Sequence, residues 1–209
     1  MAGLLAYAVL SLGFLVLQPD LPDDQSHWLA AIADAGWCSG AATQLLIWSQ
    51  LPLAVGAVGL AAWLRPQYPR LSTTGVIFAV LGAFGHTVVG GLQLGQVVMA
   101  GDVDNRDAHA DLLAAQWASP LIAPFTMLGV LCTVVGILLL SIAHFRARLQ
   151  PRWAGPVLWA WIVVEFVAGG ISPWATYLSG ILLLMGCGGL AAGLFTAGRR
   201  DHAQALVTA

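Results

Sequence analysis

The chain has 209 residues, of which 59% are hydrophobic and only 9% charged, with eight Arg, no Lys and ten acids. Soluble domains carry roughly 25% charged residues, so this composition excludes a water-soluble globular enzyme and places the chain in a bilayer. A formal net charge of -2, with no basic run longer than Arg199-Arg200, excludes nucleic acid as a partner.

A spanning helix needs about 20 largely apolar residues. Apolar runs punctuated by Pro, Gly and charge predict helices over 2–18, 41–64, 74–99, 113–145, 155–173 and 175–197. The expected fold is all-α: a polytopic integral membrane bundle of six transmembrane helices, one transmembrane domain over 1–209. The first run lacks a basic start and is followed by Gln18-Pro19-Asp20 rather than a small-residue cleavage site, so it is expected to remain as a helix. In the loop after it, Trp28, Leu29 and Ile32 recur at helical spacing and predict a short interfacial helix. The second run carries Gln44, Trp48, Gln50 and Pro52, and the third His86, Gln93 and Gln96. The fourth holds Gln116, Ser119, Pro120 and Pro124, the fifth Trp159, Trp161 and Glu165, and the sixth Thr176, just after Ser172.

Arg in short loops is retained on the cytoplasmic side. Arg65 and Arg70 follow the second run, Arg146, Arg148 and Arg152 the fourth, and Arg199 and Arg200 the sixth. The other set of loops holds Asp20, Asp23, Asp24, Asp34, Asp102, Asp104, Asp107 and Asp111, with Arg106 the exception. Both termini are therefore expected in the cytoplasm and the acidic loops outside. The absence of Lys and abundance of Ala, Gly and Arg suggest the inner membrane of a bacterium.

A weak internal repeat emerges when helices 2-3 are laid over helices 4-5. Arg65-Pro-Gln-Tyr-Pro-Arg70 aligns with Arg148-Leu-Gln-Pro-Arg152, and His86 with its Gly90-Gly91 aligns with Glu165 and its Gly169-Gly170. Parallel repeats of this kind occur in transporters, whereas Gly, Ala and Arg-Pro turns also recur by chance in apolar sequence. Under duplication, His86 and Glu165 would meet near a pseudo-symmetry axis.

Glu165 is the sole glutamate and lies nine residues from both Pro156 and Trp174. An ionisable group at such depth normally faces a cavity or a partner. As an uncharged acid it would donate a proton; the competing reading is a carboxylic acid hydrogen-bonded across a helix contact. His86, central in its run, can relay or accept a proton or serve as a hydrogen-bonded core histidine. A bis-histidine haem would need a second buried imidazole, and none is obvious in the sequence, because His27, His109, His144 and His202 fall at or beyond the predicted span ends. Given the orientation, Gln44, Gln50, Gln93, Gln96, Gln116, Ser119, Ser172 and Thr176 belong to the outer halves of their helices, and the inner halves run apolar. A polar pocket opening outward over a sealed cytoplasmic half is expected, with Trp48 and Trp161 as aromatic walls. The alternative is that the Gln and Ser side chains join helices and that Gly85, Gly90, Gly91, Gly169 and Gly170 permit close packing.

Asp104, Asp107 and Asp111 share one helical face and are weak candidates for a hard cation. Their Asp-x-x-Asp-x-x-x-Asp rhythm resembles one in membrane prenyltransferases. Val103 stands where that family has asparagine, and no second Asp-rich motif follows, so an acidic start to a solvated helix is the preferred reading and no metal is assigned. Cys38, Cys132 and Cys187 show no CxxC spacing and read as small buried hydrophobes. Trp28, Trp37, Trp63, Trp117, Trp153 and Trp174 fall near predicted interfaces, as an aromatic belt would.

The functional expectation is a pocket for a small lipophilic ligand. In the enzyme version, Glu165 and His86 carry out a cofactor-free isomerisation or cyclisation of an isoprenoid-like substrate. The alternatives are a non-catalytic lipid-binding or accessory subunit of a membrane complex and, less favoured because of the apolar inner half, a proton-coupled transporter.

Overall fold

The computed structural model describes residues 2–22, 24–168 and 173–208, and the side chains of all of these except 173 and 197–208. Every regular element among them is helical. Four helices are long and apolar enough to cross a membrane: α3 (Trp37–Leu64), α4 (Pro69–Gly101), α6 (Ala123–Arg146) and the Trp174–Thr196 stretch of α8 (Pro173–Thr208). Two shorter apolar helices join them, α1 (Ala2–Leu17) and α7 (Ala154–Ala168). At 1.5 Å per residue α3 measures about 42 Å, against about 24 Å for α1 and 22 Å for α7, while the hydrocarbon layer is about 30 Å thick. The chain is thus built as a multi-pass membrane protein.

Two short amphipathic helices complete the chain: α2 (Trp28–Asp34) and α5 (Arg106–Ala118). The segment expected as one helix over 113–145 is two, and proline is the reason. Ser119, before Pro120, takes an extended conformation (ψ 128°), as crowding by the following pyrrolidine ring requires. Pro124 then sits in the first turn of α6, where a missing N–H costs nothing. The loop helix expected between the first two runs is α2. Its exit needs Gly36, whose φ of 57° is open to glycine and strained for other residues.

The six apolar helices form a closed ring in the order α1, α3, α4, α6, α7, α8 and back to α1. Small residues set the closest approaches. A methyl group added at Gly85 of α4 would lie 2.7 Å from the Phe125 carbonyl oxygen and against the backbone of Gly129, and Gly82 faces Thr133 as tightly. In lipid, where apolar burial drives little helix association, such small-residue seams let dispersion do so. Gly90 lies against Ile47, but a Cβ at Gly91 would meet no other element within 4 Å, so Gly91 is not needed for the close packing expected of it. Gly169 and Gly170 lie outside the described residues.

The ring is solid at one end. Leu4, Leu53, Leu60, Ala79, Ile137, Leu140, Leu158 and Leu190 form a contiguous apolar core on the side of the Arg-bearing loops. The two described Arg loops meet there, the Tyr68 hydroxyl donating to the Arg146 carbonyl at 3.1 Å with the Arg146 guanidinium 5.8 Å from the Tyr68 ring. At the opposite, Asp-rich end, α2 and α5 lie on the tip of α4 and form a cap around Leu29, Ile32, Ala100 and Leu113. Trp28 and Trp117 pack edge to face across it, 6.4 Å apart. Large apolar side chains such as Val9, Val55, Val80, Leu131, Val163 and Ile181 are exposed around the ring, the surface that acyl chains cover.

Candidate functional site

Between the apolar core and the cap, the ring borders a half-open chamber of about 190 Å³. All six apolar helices line it: Tyr7, Ser11, Phe14 and Leu15 from α1; Leu46 and Gln50 from α3; His86 from α4; Val130, Thr133 and Val134 from α6; Trp161, Glu165 and Phe166 from α7; Ser179 and Leu183 from α8. On each helix these positions lie nearer the Asp-rich end than the core residues do.

Local backbone geometry brings the polar groups here. α6 and α7 each contain one π-helical turn, Leu128–Cys132 and Val164–Ala168. A π turn inserts one residue into the helix and re-aims the side chains beside it, which is why such turns recur at functional sites. One carries Glu165 and Phe166 and the other carries Val130, just before Thr133. The glycine seam of α4 and α6 adds the second requirement. With Gly82 and Gly85 in contact with α6, the His86 ring reaches Thr133, and His86 Nδ1 and Thr133 Oγ1 share a hydrogen bond of 3.3 Å whose direction follows the imidazole tautomer. Across the chamber, Ser179 Oγ donates to Glu165 Oε2. Gln50 Nε2 donates to the Leu46 carbonyl at 2.9 Å and to Ser49 Oγ at 2.8 Å, while Gln50 Oε1 is buried without a partner.

Of the residues singled out from sequence, His86, Glu165, Gln50 and Trp161 share this chamber. The others do not line it. Gln44 and Trp48 are exposed on the outer face of α3, where Trp48 Nε1 donates to Gln44 Oε1 at 3.1 Å. Their depth matches the chamber, but at 100° per residue Gln44 is turned about 120° away from Gln50. Gln93 shares the face of His86 and lies about 10 Å farther along α4; with the buried Gln96 it lines a cleft of about 30 Å³ beside Ser39 and Thr43. Gln116 belongs to α5, its Nε2 buried without a partner. Ser119 Oγ accepts from the Leu121 N–H at 3.3 Å within the α5–α6 turn. Ser172 lies outside the described residues.

Depth alone also overlooked Tyr7, Ser11, Thr133 and Ser179. Tyr7 and Ser11 are the only polar side chains in α1 and stand one turn apart, with Phe14 next on the same face, a pattern visible in the sequence. Thr133 and Ser179 carried no such signal, since lone hydroxyls in apolar helices usually bond their own backbone.

Among the described residues no group of three or more His, Cys, Asp or Glu is placed to hold a metal ion. Asp104, Asp107 and Asp111 are exposed. The order in that loop comes from Asp102, which accepts from Asn105 Nδ2 at 3.0 and 3.2 Å and lies 3.1 Å from His109 Nε2. These bonds, the Asn105 amide first and His109 next, hold the Asp102 carboxyl below the usual aspartate range. The Ser26 N–H does the same for Asp24 at the cap of the Gln25–His27 turn.

No family model matches the chain, and no curated protein or solved structure is significantly similar to it. The chemistry of the chamber therefore rests on its own groups. They comprise one carboxyl and one imidazole, each with a hydroxyl partner, one amide carbonyl without a donor, the hydroxyls of Tyr7 and Ser11, and walls of Phe14, Trp161 and Phe166. Among the described residues neither Lys nor Arg lines it.

Proposed function

We propose that this is a multi-pass membrane protein whose central chamber holds a small lipophilic ligand. The observation that carries the reading is the convergence of all six apolar helices on one chamber that combines apolar walls with His86, Glu165 and Gln50. Ligand sites are typically apolar concavities with a few convergent polar groups, and ionisable groups within a membrane normally mark function. In this reading α1 and α7 complete a six-span bundle with the Arg end in the cytoplasm, so the chamber belongs to the outer half of a bacterial inner membrane.

A second, catalytic reading rests on Glu165 and His86 sharing one chamber. An acid and a base in one chamber are the minimal equipment for moving a proton across a double bond, the chemistry of a cofactor-free isomerase or cyclase acting on an isoprenoid-like substrate. An accessory subunit that only binds lipid uses the same chamber without turnover. Mass spectrometry of the protein purified in mild detergent tests the first reading. A defined lipophile at near-stoichiometric amount, lost when the chamber is filled by Ser11→Phe, is the expected result, and a stable protein that carries and takes up no lipophile overturns it.

A further inference from the structure

The chamber contains one unanswered polar atom and one wall that stays open, and on the reading that it holds a lipophile these two features define the ligand's class. Gln50 is only 4% exposed. Its Nε2 is committed to the Leu46 carbonyl, which can only accept, so turning the amide over would set two carbonyl oxygens against each other. Gln50 Oε1 therefore stays buried beside the chamber without a donor, and what answers it must carry an O–H or N–H.

Charge narrows the choice. With Glu165 in the wall and no Lys or Arg there, a phosphate or carboxylate head would lack the cationic partners that such groups require. Size narrows it further. About 190 Å³ exceeds the roughly 150 Å³ apolar cavity that accepts benzene, so a ring or short branched head fits inside and a longer chain must leave through an open side.

One way out for the chain lies between α6 and α7. α6 and α7 pack together toward the Arg end, where Trp159 Nε1 donates to Ser141 Oγ at 2.9 Å and the Trp159 and Phe145 rings lie 5.3 Å apart. About 10 Å toward the Asp-rich end the two helices have different partners. The π turn of α6 packs on α4, and that of α7 packs on α8. At this level the chamber is bordered by Val130, Val134 and Phe166, and Phe166 is 52% exposed to the surrounding lipid. On the α3–α4 side Gln50 also borders an open groove of about 330 Å³ with Trp48, Leu51, Ala83 and Phe84, and there the contact of Gly90 with Ile47 bars the way only toward the Asp-rich end.

We propose that the chamber is the headgroup site for a neutral, hydroxyl-bearing lipid, whose hydroxyl donates to Gln50 Oε1 and whose chain leaves between α6 and α7, past Phe166, into the bilayer.

The test uses the full chain in phosphatidylcholine nanodiscs and three photoactivatable probes, a long-chain alcohol, its methyl ether and its phosphate monoester. Each is made with the diazirine beside the head or at the chain end, and labelling is read by peptide mass spectrometry with unlabelled alcohol as competitor. The head-labelled alcohol is expected to mark 46–50, 161–165 and 179–183, and the chain-labelled one the exit, 130–134 and Phe166. The ether and the phosphate should label roughly tenfold less, the worth of one buried hydrogen bond, as should the alcohol on Gln50→Leu. Equal labelling by ether and alcohol on the native protein overturns the role of Gln50 and leaves the chamber as a site. Chain-end labelling around Trp48 on α3 overturns the exit route. Absence of competable labelling in the chamber by any probe removes the ligand-binding reading itself.

Discussion

At the scale of single residues, Glu165 decides between a structural and a chemical chamber. Gln at this position keeps an oxygen to accept from Ser179 Oγ and cannot exchange a proton. Glu165→Gln is therefore expected to lose less than about 1.5 kcal/mol, the net worth of one hydrogen bond, measured by thermal unfolding in detergent. If Glu165 acts as a general acid, turnover on the copurified ligand should fall by about 100-fold to 10,000-fold while the ligand is still bound. A variant that folds, binds and turns over at the native rate removes acid catalysis at this position. Glu165 and His86 stood out in the sequence because ionisable groups are rare in apolar runs, whereas Gln44 and Trp48 were drawn in by depth alone and proved to face outward.

At the scale of elements, the glycine seam and the acidic loop make opposite demands on composition. A Cβ at Gly85 would intrude on the backbone of Gly129 and Phe125, whereas one at Gly91 meets nothing. Gly85→Ala is expected to cost about 1–3 kcal/mol by overpacking, and Gly91→Ala to be neutral or to gain up to about 1 kcal/mol from helix propensity. Unfolding of the two variants side by side checks this, and equal effects would contradict the seam. In the loop before α5, the Asp102 carboxyl is held below its usual range by Asn105 and His109. A depressed acid stabilises the fold above its unfolded pKa, and that contribution fades as pH falls through the lowered folded value. Backbone amide exchange at the start of α5 should accordingly stay slow at neutral pH and quicken only below the ordinary aspartate range. Asp102→Asn should remove this pH dependence.

At the scale of the whole molecule, the charged loops carry the proposed orientation. Arg65, Arg70, Arg146, Arg148 and Arg152 cluster at one end and the Asp-rich cap at the other, and the proposed orientation, with the Arg end in the cytoplasm, rests on the retention of Arg-rich loops inside. Single cysteines at positions 67 and 150 are expected to be shielded from an impermeant external thiol reagent in intact cells, and one at position 104 to react. The background must replace Cys38, which is half-buried near the cap, whereas Cys132 and Cys187 are buried. Labelling at 67 would invert the bundle and turn the chamber toward the cytoplasm.

The amino-acid sequence by itself determined the environment, the helical class and most helix positions, because the absence of water in a bilayer forces long apolar helical runs and permits few charges between them. It also singled out Glu165 and His86, since an ionisable side chain amid apolar neighbours is conspicuous at any rotation. The α5–α6 break was written there too, in Pro120 and Pro124, although the apolar run concealed it. Only the tertiary structure decided which polar residues meet. Hydropathy gives a residue's depth but leaves the rotation of its helix open, and that rotation is fixed by contacts such as Gly85 on Gly129 and by the π turns that carry Glu165 and precede Thr133. Those depend on which helices are neighbours in the ring, a property no single run of residues contains.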